Sequence, residues 1–192
     1  MWSTLPLWLP IALLLGYTIV VFNQLVRARN ACANAKSGID VGLTRRHDLI
    51  PNLVKAVKGY MQHERATLVA VTDARNAAAE AVGTAESAPA EANLDVELTR
   101  LIARSEDYPE LGADRLFIKL MKNLTEAEEQ IAAARRSFNA QVMAMNNLVQ
   151  SFPTSIVAKM MGFVALAYYR AGDDQRSAPS ARLLEAGAAE PK

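Results

Sequence analysis

The stretch RRHDLIPNLVKAVKGYMQHE, residues 45–64, contains both histidines of the chain, and each histidine is followed directly by an acid. The pairs His47-Asp48 and His63-Glu64 have the residue types of a metal site or a catalyst. Apolar residues recur through the stretch at helical spacing, so it predicts a helix. Neighbouring side chains on a helix diverge by about 100°. Neither pair is therefore expected to chelate a metal.

The stretch is part of a longer stripe of mostly apolar residues. From Leu43 to Val71 the stripe advances in alternating steps of four and three residues, with His47 and Glu64 among its members. This near-heptad pattern is typical of one face of a long amphipathic helix and of coiled coils. We predict one helix from residue 39 to about residue 82, roughly 66 Å long. Its seam could also drive homo-oligomerisation.

Pro51 lies in the middle of this predicted helix and allows two interpretations. Within a continuous helix, proline removes the hydrogen bond to the carbonyl four residues earlier, here that of His47, and bends the axis. Alternatively, Pro51 occupies the first turn of a new helix that follows a break.

The N-terminus predicts a membrane anchor. Residues 1–26 contain no charged side chain, and Leu5 to Val26 is mostly apolar. At about 1.5 Å per residue this length matches a hydrocarbon core of about 30 Å. A cleaved signal peptide would need a basic segment before the apolar run, and there is none. Basic residues follow the span and none precedes it, so we expect the N-terminus outside and the remainder in the cytoplasm.

The rest of the chain predicts an all-α domain. The expected fold is a transmembrane helix (1–26) that continues into an antiparallel bundle of three to four long helices (27–170), followed by a flexible tail (171–192). Asp114 is expected to cap a short helix that ends near Asn123. Thr125 and Glu128 have the spacing of a capping box, which predicts a new helix there. Phe152-Pro153 should end that helix.

The apolar segment from Ser155 to Tyr169 follows this helix and is interrupted only by Lys159. It is too short, and too closely flanked by charge, to predict a second span. It could be a core helix that packs against the bundle or an interfacial helix that lies on the bilayer.

Three charged residues fall on apolar stripes: His47, Glu64 and, in the later helix, Arg135. A buried charge needs a partner. We therefore expect His47 or Glu64 to pair across the bundle with Arg135 or a similar base and thereby to fix the register of the helices.

The spacing F-N-x-x-V-x-x-x-N occurs twice, at residues 22–30 and at residues 138–146. The second copy contains Asn139 and Asn146. Asparagines at heptad spacing can hydrogen-bond across helices and fix their register. Coincidence in an asparagine-rich stretch is the alternative.

Composition and motifs exclude several functions. The net charge of +1 argues against binding nucleic acid through many phosphates. Cys32 is the only cysteine, so no internal disulfide can form, and we expect it to be a small apolar residue in preference to a site of palmitoylation or redox sensing. The Glu-x-x-His spacing of di-metal bundles, the H-E-x-x-H zinc motif and Gly-rich phosphate loops are absent. We expect no enzymatic activity, no metal and no cofactor.

The sequence resembles the LemA family over residues 20–163. The most specific motif is Arg45-Arg46-His47-Asp48-Leu49-Ile50-Pro51-Asn52-Leu53-Val54, and further matches include Tyr60, His63-Glu64, Arg75, Arg135, Asn139, Asn146 and Phe152-Pro153. The residues that we regard as structural or interaction sites are Arg45, Arg46, His47, Asp48, Pro51, Asn52, Glu64, Arg135, Asn139 and Asn146. The chain departs from the family in having Phe22 and Phe138 in place of tyrosine and Lys36 in place of tryptophan. These changes alter the membrane-proximal surface.

The resemblance implies a bacterial inner-membrane protein with one membrane helix, a cytoplasmic helical bundle and no established activity or cofactor. It also implies, as possible partners, a TPM-domain protein or a membrane zinc metalloprotease. The expected function is that of a membrane-anchored scaffold or adaptor. The alternatives are a protein that binds or remodels the lipid surface and, more remotely, a metal-dependent hydrolase.

Overall fold

A computed structural model describes residues 8–169, and within them the chain forms six helices. Their bounds are α1 Trp8–Lys58, α2 Arg65–Ala81, α3 Ser87–Ser105, α4 Pro109–Gly112, α5 Arg115–Gln150 and α6 Thr154–Met160. The expectation of an all-α bundle is confirmed. The predicted tail, residues 171–192, lies outside the described residues.

The longest element, α1, has two parts with different surroundings. Its first part, up to Val20, carries large apolar side chains that are almost all exposed. The helix is long and apolar enough to cross a membrane, and only 11% of its most apolar stretch of 18 residues is buried in the protein. From Val21 onward one face of the helix is buried. A single helix therefore joins an uncovered apolar rod to the bundle.

The predicted continuation of this helix to about residue 82 is wrong. It ends at Lys58, and the amides of Tyr60 and Met61 both donate to the carbonyl of Val57 as the chain turns back. Gly59, which has a low helix propensity, stands at the turn. The apolar stripe continues on both sides because α1 and α2 bury their stripes in the same core. The stripe is thus not a free coiled-coil seam.

The helices α1, α2, α3 and α5 run alternately up and down in the half of the bundle remote from the exposed apolar rod. The hairpin of α2 and α3 begins after the turn at residues 59–64 and closes through residues 82–86. Buried leucines of α3, Leu94, Leu98 and Leu101, pack with the inner faces of α1 and α2. This half is a four-helix arrangement of alternating direction.

The long antiparallel partner of α1 is α5. Asp114 caps it as predicted, accepting hydrogen bonds from the amides of Leu116 and Phe117. The predicted break near Asn123 is wrong, because α5 is continuous and the Thr125 hydroxyl donates to the Met121 carbonyl one turn earlier. The helix ends at Gln150, just before Phe152-Pro153, as expected.

The two long helices approach closely at one glycine. A Cβ atom added to Gly42 would lie 2.9 Å from Cγ1 of Ile131 on α5. The absence of a side chain at this position therefore sets how near α1 and α5 can come.

The apolar segment after α5 consists of a short helix followed by an extended stretch. Residues Thr154–Met160 form α6, whose Val157 and Ala158 are buried against α1 and α5. Gly162 then turns the chain with φ +73°, a conformation that glycine adopts readily. Residues 162–169, which we call the strap, run extended in the groove between α1 and α5. The segment is thus neither a single core helix nor a single interfacial helix.

Candidate functional site

A charged network centred on the buried Arg46 connects α1, α3 and α5. This arginine is 2% exposed. Its Nη1 donates to Glu91 Oε2 at 3.0 Å, its Nη2 pairs with Asp95, and its Nε forms a 2.7 Å ion pair with Glu128 Oε1. Arg46 itself was singled out from the sequence, but its three acidic partners were missed. Helical periodicity assigns a residue to a face and does not say which other helix covers that face.

His47 joins the same network through Glu91. Its Nε2 lies 2.7 Å from Glu91 Oε1, and both side chains are 3% exposed. Glu91 therefore joins two consecutive residues of α1, using one carboxylate oxygen for each. Desolvation offsets much of the attraction in such a buried cluster, yet removing one member leaves the others uncompensated.

The network holds more acidic than basic groups, and this affects Glu128. One guanidinium faces three carboxylates. Burial is the main cause that raises the pKa of Glu128, and the nearby charges of Asp95 and Glu91 add to it, while Arg46 and Arg135 act in the opposite direction. Burial therefore disfavours the charged form of Glu128.

Pro51 lies within α1, so the interpretation of a continuous helix is the correct one. The carbonyl of His47, which proline deprives of its helical partner, accepts a hydrogen bond of 3.0 Å from Nε of Arg75. Nη2 of the same arginine lies 3.8 Å from the exposed carboxylate of Asp48. Arg75 therefore connects α2 to the turn of α1 in which Pro51 cannot donate a hydrogen bond to His47. The sequence analysis gave it no role.

Asn139 and Asn146 form a clamp that holds the strap. Asn146 accepts from the Leu166 amide at 2.8 Å and donates to the Leu166 carbonyl at 2.9 Å. Asn139 does the same with Tyr169, at 2.8 and 3.1 Å. Seven residues of helix rise about 10.5 Å, and three extended residues cover about 10 Å. The heptad spacing therefore matches every third residue of an extended chain.

The predicted roles of these asparagines, of Glu64 and of Arg135 are corrected accordingly. The asparagines bind the backbone of an extended segment and not a neighbouring helix. Arg135 lies over the ring of Tyr169, 4.9 Å from its centroid, and does not pair with His47 or Glu64. Glu64 precedes α2 in the turn that the predicted continuous helix did not include. That turn removes Glu64 from the face on which Arg135 lies.

The remaining predicted residues lie on the outer face of α1. Arg45 is exposed and donates to Gln130 Oε1 of α5 at 2.8 Å. Asp48 and Asn52 are exposed, and with Ser37, Val41 and Thr44 they form an open, shallow face of α1. The asparagines of the first copy of the repeated pattern, Asn23 and Asn30, are also exposed, whereas Cys32 is buried. The repeat therefore does not place its two copies in equivalent surroundings.

The acidic cluster surrounds the guanidinium of Arg46 and is closed to solvent at Arg46, His47 and Glu91. In the part of the chain from residue 8 to residue 169, no group of three or more His, Cys, Asp and Glu side chains is arranged to hold a metal ion. The guanidinium of Arg46 stands between the carboxylates, where a cation would sit. His47 points inward and Asp48 outward, as helical geometry predicts. Substrate could reach Arg46 or His47 only if the bundle opened.

Together these features define an antiparallel helical bundle on one long helix whose apolar end is uncovered, with a charged cluster at its centre. Comparison with known proteins agrees with this class. The family model described as "LemA family" matches residues 35–182, and the chain belongs to the LemA family. The sequence-based identification is therefore confirmed.

Individual relatives are similar at low identity. The chain is 26% identical over 156 residues to Protein LemA of Metamycoplasma hominis, covering 80% of this chain and 71% of that protein. It is 25% identical over 181 residues to Magnetosome protein MamQ of Magnetospirillum gryphiswaldense, covering 79% of this chain and 66% of that protein. Family membership and the uncovered apolar helix fit a membrane-associated helical protein.

Proposed function

We propose that the protein is a single-pass membrane-anchored scaffold or adaptor of the bacterial cytoplasmic membrane. The observation that carries this proposal is the continuity of α1, whose exposed apolar part and bundle part form one helix of 51 residues. A helix without a joint transmits the orientation of the anchor to the bundle. Pro51, where the helix lacks a hydrogen bond, is supported from outside by Arg75.

The proposed topology places the N-terminus outside and the bundle in the cytoplasm. Arg27, Arg29 and Lys36 follow the apolar segment, and the first acid of the chain is Asp40. Basic residues flanking a span are retained on the cytoplasmic side. This charge distribution supports the orientation.

The surface best suited to a protein partner is the open, shallow face of α1. Val41 is 66% exposed there, beside Asp40, Arg45 and Asp48. The near-heptad seam is occupied by the bundle's own core, so self-association would also have to use an outer face. Candidate partners are a second copy, a TPM-domain protein or a membrane metalloprotease.

Affinity purification of the full-length protein from native membranes, with quantitative mass spectrometry, tests this role. We expect Val41→Glu to lose membrane proteins that the unaltered protein enriches. The matched control is Val69→Glu on α2, where the valine is 50% exposed. The adaptor proposal fails if nothing is enriched over an unrelated single-pass protein. The choice of surface fails if both variants retain the same partners.

A second candidate function is action on the lipid surface. It is favoured by charge, because residues 1–39 and 130–172 contain no Asp or Glu. Reconstitution of the full chain into vesicles with and without phosphatidylglycerol tests it, with vesicle deformation seen by electron microscopy as the positive result.

A metal-dependent hydrolase remains the remote alternative, and stoichiometric metal in the purified full-length protein would revive it.

A further inference from the structure

A group of exposed apolar side chains lies on the outer face of α6 and in the segments that flank this helix. It comprises Phe152, Ile156, Met160, Met161 and Val164, which we call the collar. The opposite face of α6, with Val157 and Ala158, is buried against the bundle. A short helix on a water-exposed surface would be expected to turn polar residues outward. A contiguous exposed apolar patch marks a binding surface.

The collar lies beside the end of the uncovered part of α1. Val157 and Ala158 share a core cluster with Val21 and Leu25 of α1. The ring of Phe163 meets that of Phe22 edge-on, with centroids 6.1 Å apart. The collar is therefore level with the first turns of α1 that protein covers.

The length of the uncovered helix places the bilayer boundary at this level. From Trp8 to Val20, α1 spans only about 20 Å, whereas a hydrocarbon core is about 30 Å thick. If Trp8 marks the outer boundary, about 20 residues are needed and the inner boundary falls near Arg27. That boundary lies on the segment of α1 against which α6 packs.

The charge around the collar suits the same surroundings. Lys159 is its one charged neighbour on α6, and a lysine can lay its stem along apolar surface while its ammonium reaches the headgroups. Arg27 and Arg29 stand on α1 at nearly the same level. Basic groups at this depth are attracted to the anionic cytoplasmic leaflet.

We propose that the collar enters the boundary between headgroups and acyl chains of the leaflet through which α1 leaves the bilayer. The partner surface is the lipid leaflet itself. The bundle then contacts the membrane at two places, through α1 and through α6. The strap and its asparagine clamp connect the contact at α6 to α5. This inference rests on the proposed anchoring by α1, and it adds a fixed depth and tilt to the bundle.

Spin labels at three positions of the full-length chain test the proposal. In a Cys32→Ala background, the labelled variants are Ile156→Cys in the collar, Leu14→Cys in the uncovered helix and Val96→Cys on α3. The native residues at 156 and 96 are 53% and 55% exposed, so these two sites are matched in accessibility. The protein is reconstituted into vesicles of phosphatidylcholine and phosphatidylglycerol. Collision with apolar oxygen is compared with collision with a water-soluble nickel chelate.

We expect oxygen to dominate at positions 14 and 156 and the nickel chelate to dominate at position 96, with a severalfold difference in the collision ratio between 156 and 96. A water-like result at 156 with a lipid-like result at 14 would overturn the collar and leave the anchor intact. A water-like result at both would overturn the anchor and with it this inference. Protection of 156 from both reagents would mean that protein, not lipid, covers the collar.

Discussion

Two partly buried polar clusters join the elements of this bundle by different means. The Arg46 cluster uses full charges from three helices, α1, α3 and α5. The asparagine clamp uses neutral amides, and Asn139 and Asn146 bind only the backbone of the strap. The first links helix to helix through specific side chains. The second holds an extended segment whatever its side chains are.

The two clusters should therefore fail in different ways. A buried charge without its partner destabilises the whole structure, because no local rearrangement can hydrate it. A neutral hydrogen bond from helix to strap can be exchanged for one to water when the strap leaves the groove. We expect loss of the charged cluster to lower global stability. Loss of the clamp should instead lower the free energy of a local opening.

The largest effect is expected for Arg46→Met, which keeps an unbranched side chain and removes the guanidinium. Glu91, whose side chain is 3% exposed, would lose its charged partner. We expect a loss of about 3–5 kcal/mol in the free energy of unfolding. Urea unfolding of the full chain in detergent micelles, followed by circular dichroism, measures it.

The neighbouring arginine provides the control for that experiment. Arg45 is exposed and bonded to Gln130 at the surface, so Arg45→Met should cost no more than about 0.5 kcal/mol. Equal losses in the two variants would show that burial of Arg46 does not set its contribution.

A smaller and more local effect is expected for Asn146→Ala. It removes both bonds to Leu166, at about 0.5–1.5 kcal/mol each, or about 1–3 kcal/mol in all. The Leu166 amide should then exchange its hydrogen about 5- to 150-fold faster, since 1.4 kcal/mol corresponds to about a factor of ten. Hydrogen–deuterium exchange of the full chain checks this.

The matched control for the clamp is Asn30→Ala. Asn30 occupies the equivalent place in the first copy of the repeated pattern, but its side chain is exposed. It should leave exchange at Leu166 unchanged. Uniform acceleration across α1 and α5 in Asn146→Ala would contradict a local role for the clamp.

How far sequence could predict these clusters differs between them. Periodicity assigned His47 to the buried face correctly, because burial on a helix follows from spacing alone. It could not reveal that Glu91, Asp95 and Glu128 surround Arg46, because these acids come from helices whose relative placement depends on the turn after Lys58. The stripe continued through that turn without change of period. A pattern that two folded-back helices share is indistinguishable from that of one straight helix.

The spacing of the asparagines identifies the right residues but predicts the wrong partner for their hydrogen bonds. Heptad spacing fits a neighbouring helix, but it also fits every third residue of an extended chain. Only the extended conformation of the strap distinguishes these two possibilities, and its apolar sequence, Phe163 to Tyr169, predicts a helix. Gly162 was the available signal, since a glycine after a short helix often ends it.

A third experiment tests whether Arg75 supports the His47 carbonyl that Pro51 leaves without a helical partner. Arg75→Met removes the donor to the His47 carbonyl and should cost about 1 kcal/mol. In a Pro51→Ala background residue 51 regains an N–H that can reach the same carbonyl, so the cost of Arg75→Met should fall towards zero. A double-mutant cycle in urea measures this coupling. Additive losses would mean that Arg75 contributes only through Asp48 and packing.

The smallest expected effect concerns pH and separates Glu128 from an ordinary surface acid. Burial raises the pKa of Glu128 above its ordinary value of 4.5, so the folded protein binds this proton more readily than the unfolded chain does. Its contribution to stability is fully present below pH 4.5 and is lost as the pH rises through the raised pKa. Since the side chain is 45% exposed, solvent screening keeps the change small. Unfolding free energies measured between neutral pH and pH 4.5 should rise more on acidification in the native protein than in Glu128→Gln.

Asp114 supplies the opposite sign in the same titration. Hydrogen bonds from the Phe117 amide, the Tyr60 hydroxyl and the Leu116 amide lower the pKa of its carboxyl below 3.8. Its contribution is present above pH 3.8 and is lost as the pH falls through the lowered pKa. Asp114→Asn should therefore alter the stability profile only at the acidic end, where the native protein loses stability and the variant loses less. If Glu128→Gln and Asp114→Asn shifted the profile in the same direction, the Arg46 cluster would not differ electrostatically from a helix cap at the surface.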